Sequence, residues 1–219
     1  ANYEKAGVTV TNGTDQNNNT VTINVDATKV ATDTIDYGMV HDINDADEGG
    51  TYAFVGLQFN APEGAVFVKI DDARDSVSLA QDSADGSIFG GNVIEYYNIA
   101  DVTVGAGNAI TDAKVRSNAS WTKTLVWYDE AETEISTTTY TINREVTGAT
   151  YSYEENGTAY VSAGPLDLTK ENVTLLKDLT LAENASIRKA FTVAEGVTLT
   201  VPDAKTLTIE SRASCTVNG

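Results

Sequence analysis

A chain of 219 residues with 14 Lys and Arg against 32 Asp and Glu carries a formal charge of −18, which disfavours nucleic acid and anionic membrane as partners. Its 41% hydrophobic content is that of a folded protein with one large or two modest domains, and no apolar run is long enough to cross a bilayer. One Cys, one His and one Met exclude an intrachain disulfide and any zinc site built from several Cys or His ligands.

The start at Ala1 reads as a mature or trimmed N-terminus without a signal peptide. Val8 to Thr11 and Val21 to Val25 alternate apolar and polar residues around a polar run at 12–19, which predicts a hairpin with a long loop. An alternative is that the first strand pairs with a neighbouring subunit. From Ile35 to Thr147 short β-type runs follow one another, clearest at Tyr52–Phe59, Ala65–Ile70, Val93–Ile99, Thr122–Tyr128 and Thr137–Val146. Only Ser76 to Asp82 has the character of a helical turn. That succession predicts an antiparallel β-sandwich over residues 1–148. Tyr151–Ser152–Tyr153 and Ala159–Tyr160–Val161 flank Asn156-Gly157, a strong short hairpin signal, here opening a second unit at 149–219.

The last third repeats in sixes: VTLLKD, LTLAEN, ASIRKA, FTVAEG and VTLTVP, then LTIESR and ASCTVN after four inserted residues, Asp203 to Thr206. Each hexad opens apolar–Thr/Ser–apolar, so the apolar pair shares one side of a three-residue strand and the hydroxyl the other. Short strands at fixed spacing suit a β-solenoid with three walls per coil. That places Val173 under Phe191, Leu175 under Val193, Leu181 under Leu199 and Ile187 under Ile209, with Cys215 as a small apolar residue at the third position of the last hexad. Thr174, Thr180, Ser186, Thr192, Thr198, Thr208 and Ser214 point outward as solvated β-branched or hydroxyl residues, too few per wall for an ice-binding array.

Little in the sequence marks a reaction. His41, the one candidate general base, lies in a polar loop without a serine elbow nearby, and Gly86, Gly90 and Gly91 are spaced as turns and not as a phosphate loop. Calcium is the one cofactor the residues suggest: Asp42, Asn44, Asp45, Asp47 and Glu48 offer hard oxygen ligands, although Ala46 occupies a ligand slot of an EF-hand-like spacing. Asp71, Asp72 and Asp75, and Asp82 with Asp85, are weaker acidic clusters. Trp121, Trp127 and Tyr128, with Tyr96 and Tyr97, are candidates for stacking on sugar rings, and strand alternation requires that part of this set be core. N-x-Ser/Thr acceptors for glycosylation begin at Asn12, Asn18, Asn118, Asn156, Asn172 and Asn184.

The stretch from Trp127 to Val146, WYDEAETEIS followed by TTTYTINREV, resembles Ig-like modules of secreted bacterial surface proteins. The phrases VTLLKDLTL, GVTLTV and KTLTI within residues 165–218 resemble β-helical modules of multidomain cell-surface proteins. These resemblances imply an extracellular, cell-surface setting with structural or adhesive work and no particular activity. The expectation is therefore a non-enzymatic, all-β module, with self-association through an open β edge or contact with neighbouring modules of the same surface protein. A carbohydrate-binding module with a polysaccharide partner is the alternative, and an acidic glycosidase or lyase fragment, needing two facing carboxylates, is the third.

Overall fold

The computed structural model describes residues 4–5, 7–12, 19–43, 50–84 and 86–219, with the backbone alone at residues 4, 5, 12, 41–43 and 50. The described chain is all-β. In order, its strands are β1 (Glu4–Lys5), β2 (Val8–Asn12), β3 (Thr20–Asp26), β4 (Val40–Ile43), β5 (Gly50–Phe59), β6 (Phe67–Ile70) and β7 (Val77–Ser78). Next come β8 (Ile88–Phe89), β9 (Asn92–Val104), β10 (Ile110–Arg116), β11 (Ala119–Tyr128), β12 (Glu134–Thr147), β13 (Tyr151–Glu155) and β14 (Thr158–Ser162). The last are β15 (Glu171–Leu175), β16 (Leu179–Thr180), β17 (Ala185–Ile187), β18 (Ala190–Val193), β19 (Leu199–Thr200), β20 (Leu207–Ile209) and β21 (Ser214–Val217).

Two large sheets result, and neither closes. The first runs β1-β2-β3-β12-β11-β6-β7 and is antiparallel except where β3 lies parallel to β12. The second has ten strands, ordered β21-β18-β15-β13-β14-β10-β9-β5-β4, with β8 also paired to β9. Alternation sets the inner faces. In β3 Ile23 and Val25 are buried, in β11 Leu125 and Trp127, and in β5 Ala53, Val55, Leu57 and Phe59, while their neighbours are more exposed. These residues meet in one core drawn from both sheets, to which Val93, Ile99 and Val115 also belong.

Several sequence expectations take concrete form. The N-terminal hairpin forms within the chain, with Val8 opposite Val25. β11 and β12 make the long hairpin around 129–133. Asn156 and Gly157 both adopt positive φ, 52° and 78°, in the two-residue turn between β13 and β14, where Gly carries no Cβ penalty and Asn tolerates the left-handed region. The helical turn expected over Ser76–Asp82 is not formed: Val77 and Ser78 pair with Val68 and Phe67 of β6, because strand edge outcompetes one isolated helical turn.

The second core lies on the other side of the ten-stranded sheet. Val115 pairs with Val161 toward the first core, whereas Arg116 pairs with Tyr160, and Tyr160 with Tyr153, toward the second. Thus the hairpin β13–β14, which follows residue 148, serves both. Tyr151, Tyr153 and Tyr160 pack there with Val173, Leu175, Ile187, Phe191 and Val193.

Beyond β14 the chain runs in stacked circuits joined by parallel pairs. β15, β16 and β17 form the lower circuit, and β18, β19 and β20 pair above them in the same order, with β21 above β18. Val173 pairs with Phe191, Leu175 with Val193 and Ile187 with Ile209, as the hexads predict. The middle ladder departs from the expectation: Leu199 pairs with Leu179, not Leu181. Cys215 pairs with Phe191, and Val217 occupies the place above Val193. The reason is that the upper circuit is longer. From Val173 to its partner Phe191 the chain advances 18 residues (191 − 173), and from Phe191 to Cys215 it advances 24 (215 − 191). The six extra residues are not one insertion at 203–206. They are spread as turns closed by Val197 N to Ala194 O, Lys205 N to Pro202 O and Ala213 N to Glu210 O, each eight residues after the last.

Two side chains of the lower circuit bind the upper one. Asp178 Oδ1 accepts from Thr198 N at 2.7 Å and Asn184 Oδ1 from Thr206 N at 2.9 Å. The column Leu175, Val193, Val217 then shows how burial ends, with exposures of 0%, 3% and 68%. Ile209 above Ile187 (53% against 1%) and Val201 (40%) complete an apolar end face, one residue per wall.

Candidate functional site

A cleft of about 800 Å³ lies beside β9, where the chain passes from β10 in one sheet to β11 in the other. One edge of β9 pairs with β5 along residues 93–101; the other meets β8 at Asn92–Val93 and β10 from Ala100 to Val104. The shift in register at Ala53/Phe54 is a bulge that lets both Ile99 and Ala100 turn into the core and brings Asp101 back to the outer face opposite Tyr52. The cleft is lined from five strands and one loop: Tyr52 of β5; Glu95, Tyr97 and Asp101 of β9; Arg116 of β10; Trp121 and Lys123 of β11; Thr158 of β14; and Asp71 after β6.

Its charges are tied together in pairs. Lys123 Nζ lies 2.6 Å from Asp71 Oδ2 and 3.3 Å from Glu95 Oε2, so one ammonium joins the two sheets. Asp71 is held in a positive-φ conformation of 50°, with Thr124 N donating to its Oδ1 at 2.8 Å and its own N–H donating to Thr124 O at 2.8 Å. Arg116 Nε donates to Asp101 Oδ1 at 2.8 Å, and the Tyr160 hydroxyl donates to Asp101 Oδ2. Burial and then that bond push the Tyr160 phenol up to about 12.

Behind this wall sits Arg144, a buried cation 5% exposed. It donates to Ser117 O and Asn98 O at 2.6 Å each and to Asn98 Oδ1 at 3.0 Å, and its guanidinium lies 5.2 Å from the Trp121 ring centroid. Burial, then the neighbouring Arg116, lowers its pKa to about 10, while Asp101 acts the other way. Trp121 also meets the Tyr97 ring at 5.1 Å, tilted by 59°. Tyr97 itself is 6% exposed, and its hydroxyl is the one buried side-chain polar atom without a hydrogen-bond partner among the described residues. Burial first, then the charges of Glu95 and Asp71, raise its pKa.

The sugar-stacking candidates separate. Trp121 lines the cleft, Trp127 is 3% exposed in the first core with no ring face available to a ligand, and Tyr128 sits at the far end of β11 opposite Phe67. Tyr96 and Tyr97, adjacent in sequence, both line the cleft. Sequence reasoning missed Tyr52, Glu95, Asp101, Arg116 and Lys123 as partners, because four strands bring them together and no local spacing marks them. Of the calcium candidates, Asp42 has its backbone in β4, and the side chain of Asp42 together with Asn44, Asp45, Asp47 and Glu48 lies outside the described residues. Likewise His41 pairs through its backbone with Tyr52, with its side chain outside them. Asp71 is engaged with Lys123, and Asp82 Oδ1 accepts from Gly90 N at 3.0 Å; Asp85 is outside the described residues. Among the described residues no group of three or more His, Cys, Asp or Glu is arranged to hold a metal. Glycosylation candidates Asn118, Asn156, Asn172 and Asn184 are all exposed, and Asn118 Oδ1 accepts from Val146 N at 2.8 Å; Asn18 and the Asn12 side chain lie outside the described residues.

Among known proteins, no family model, no curated protein and no solved structure matches the chain.

Proposed function

We propose that this protein is a non-enzymatic structural or adhesive module of an extracellular cell surface, with an Ig-like β-sandwich body and a short β-solenoid, assembling through its open β edges. The observation that carries this is the apolar end face of the upper circuit: Val201, Ile209 and Val217 stand exposed directly above buried counterparts. An apolar surface bordered by strand edge is a template for another β element. The ten-stranded sheet carries this edge at β21 and its opposite edge at β4, so a β21-to-β4 contact between copies would extend one sheet from molecule to molecule. Such a heterologous contact gives filaments or layers. The acidic surface and the exposed N-x-Ser/Thr acceptors are consistent with an extracellular setting.

Light scattering and negative-stain microscopy of the purified chain over a concentration series, with calcium and with chelator, test it. Regular filaments or sheets are expected. A closed dimer would retain the end face as a joint and refute head-to-tail growth, and a monomer of 23.2 kDa throughout would refute self-assembly. Loss of assembly with chelator would bring Asp42, Asn44, Asp45, Asp47 and Glu48 into the joint. A second function, carbohydrate binding, is favoured by one observation, the half-buried Trp121 ring on the wall of the polar cleft.

A further inference from the structure

We propose that the cleft beside β9 binds a neutral saccharide, seated against the rings of Tyr52, Tyr96 and Trp121 and met at its floor by the Tyr97 hydroxyl. The proposal rests on the carbohydrate-binding reading and is independent of assembly, since it uses neither β21 nor the stacked circuits. Three properties of the cleft select this ligand. First, its volume of about 800 Å³ lies within the range of small-ligand sites. Second, both cations of its lining are engaged: Lys123 lies between Asp71 and Glu95, and Arg116 is joined to Asp101, so two cations face three carboxylates and neither is left for an anionic ligand. An anionic ligand would have to break those pairs, whereas hydroxyl groups bond to their remaining lone pairs and N–H groups.

Third, apolar faces and polar groups alternate around the opening. Tyr96 is 37% exposed and is held edge-on by Phe54 at 4.9 Å, which in turn meets Tyr52 at 6.3 Å, a fixed aromatic ledge of the kind on which a sugar's C–H face stacks. Gly56 lies opposite Tyr96 on β5, where a Cβ would meet the ring at 3.4 Å, an ordinary contact distance. Tyr97 supplies the independent sign of a ligand. A hydroxyl buried without a partner is rare because it forfeits its bond with water, and the nearby carboxylates Glu95 and Asp71 place this one against the polar part of the cleft. Its oxygen has under 1 Å² of accessible surface, so the ring must shift toward the cleft for a ligand hydroxyl to become its partner.

The test is titration calorimetry of the full chain against cellotetraose, xylotetraose, mannotetraose and laminaritetraose, with tetragalacturonate as the anionic counterpart, for the native chain and for Tyr96→Ala and Tyr97→Phe. Binding of at least one neutral tetrasaccharide is expected, weakened about tenfold by Tyr96→Ala and roughly two- to tenfold by Tyr97→Phe. The second variant removes one unpartnered oxygen, so its thermal midpoint should hold or rise, and it carries the test if Tyr96→Ala fails to fold. Binding of tetragalacturonate alone would overturn the neutral-ligand assignment while leaving carbohydrate binding standing. No binding of any of the five at millimolar concentration would overturn both, and affinity kept within twofold in both variants would place the ligand elsewhere.

Discussion

The two halves of the molecule bury apolar side chains by opposite means. In the body, strands from distant parts of the chain are laid face to face, so Ile23, Leu125, Ile142 and Val55 reach one core from both sheets. In the stacked circuits, each residue is covered by its counterpart one circuit on, and the pairs Val173–Phe191 and Ile187–Ile209 are close in sequence. A two-faced core is closed by its own geometry. A stack is closed only where something lies above it, and for that reason the columns over Leu175 and Ile187 end in the exposed Val217 and Ile209.

The sharpest break of this comparison is in the buried columns. Phe191→Ala should cost about 3–5 kcal/mol and Leu175→Ala about 2–5 kcal/mol, as large as any truncation in the body, measured by denaturant unfolding. If Leu175→Ala cost below 1 kcal/mol, the circuits would not share a packed core. Next comes Arg144→Met, which leaves two carbonyls and the Asn98 amide oxygen without their donor, for an expected loss of about 2–3 kcal/mol and a changed Trp fluorescence from Trp121. Asp178→Ala and Asn184→Ala remove the side-chain bonds between circuits, each at about 1 kcal/mol, with faster amide exchange at Thr198 and Thr206.

Alkaline pH acts mainly where the body meets the circuits. Tyr160 and Tyr153 titrate near 12 in the folded protein, both raised first by burial, against an ordinary value near 10. Above pH 10 the unfolded chain releases protons that the folded chain retains, so stability falls between about pH 10 and 12. Arg144, lowered to about 10, opposes this over the same interval, and the three phenols Tyr97, Tyr153 and Tyr160 outnumber it. Tyr160→Phe should make the alkaline decline of the thermal midpoint shallower. Smallest of all is Val217→Ala at the end of the column, expected within about 0.5 kcal/mol for the isolated chain because its residue is 68% exposed.

Much of this contrast was legible in the sequence. The alternation of β-branched and polar residues marks β5, β9, β11 and β12, and Asn156-Gly157 marks its turn, because these are local signals. The lower circuit was legible for the same reason: its six-residue sides repeat without interruption from Val173 to Phe191. The upper circuit was read two residues short at its first and third corners and two residues long at the second, where 203–206 were set apart as an insertion. Thr198-Leu199-Thr200-Val201, Thr206-Leu207-Thr208-Ile209 and Ser214-Cys215-Thr216-Val217 recur every eight residues, and a six-residue template forces a single insertion where three longer turns exist. The cleft was not legible, since Lys123 and Glu95 come from different sheets and nothing in either strand announces the other. Trp127 and Trp121 differ only in their place along β11: the first lies deep between the sheets, the second where they part.

The account turns on the end face formed by Val201, Ile209 and Val217, and amide hydrogen exchange at low and high protein concentration tests it most directly. With association through that face, the amides of Leu207–Ile209 and Ser214–Val217 should gain protection as concentration rises, while those of Leu125 and Ile142 in the body core stay unchanged. Val217→Asp should abolish the gain. Equal exchange of Ser214–Val217 at both concentrations, with assemblies present in the sample, would contradict the account and place the joint elsewhere.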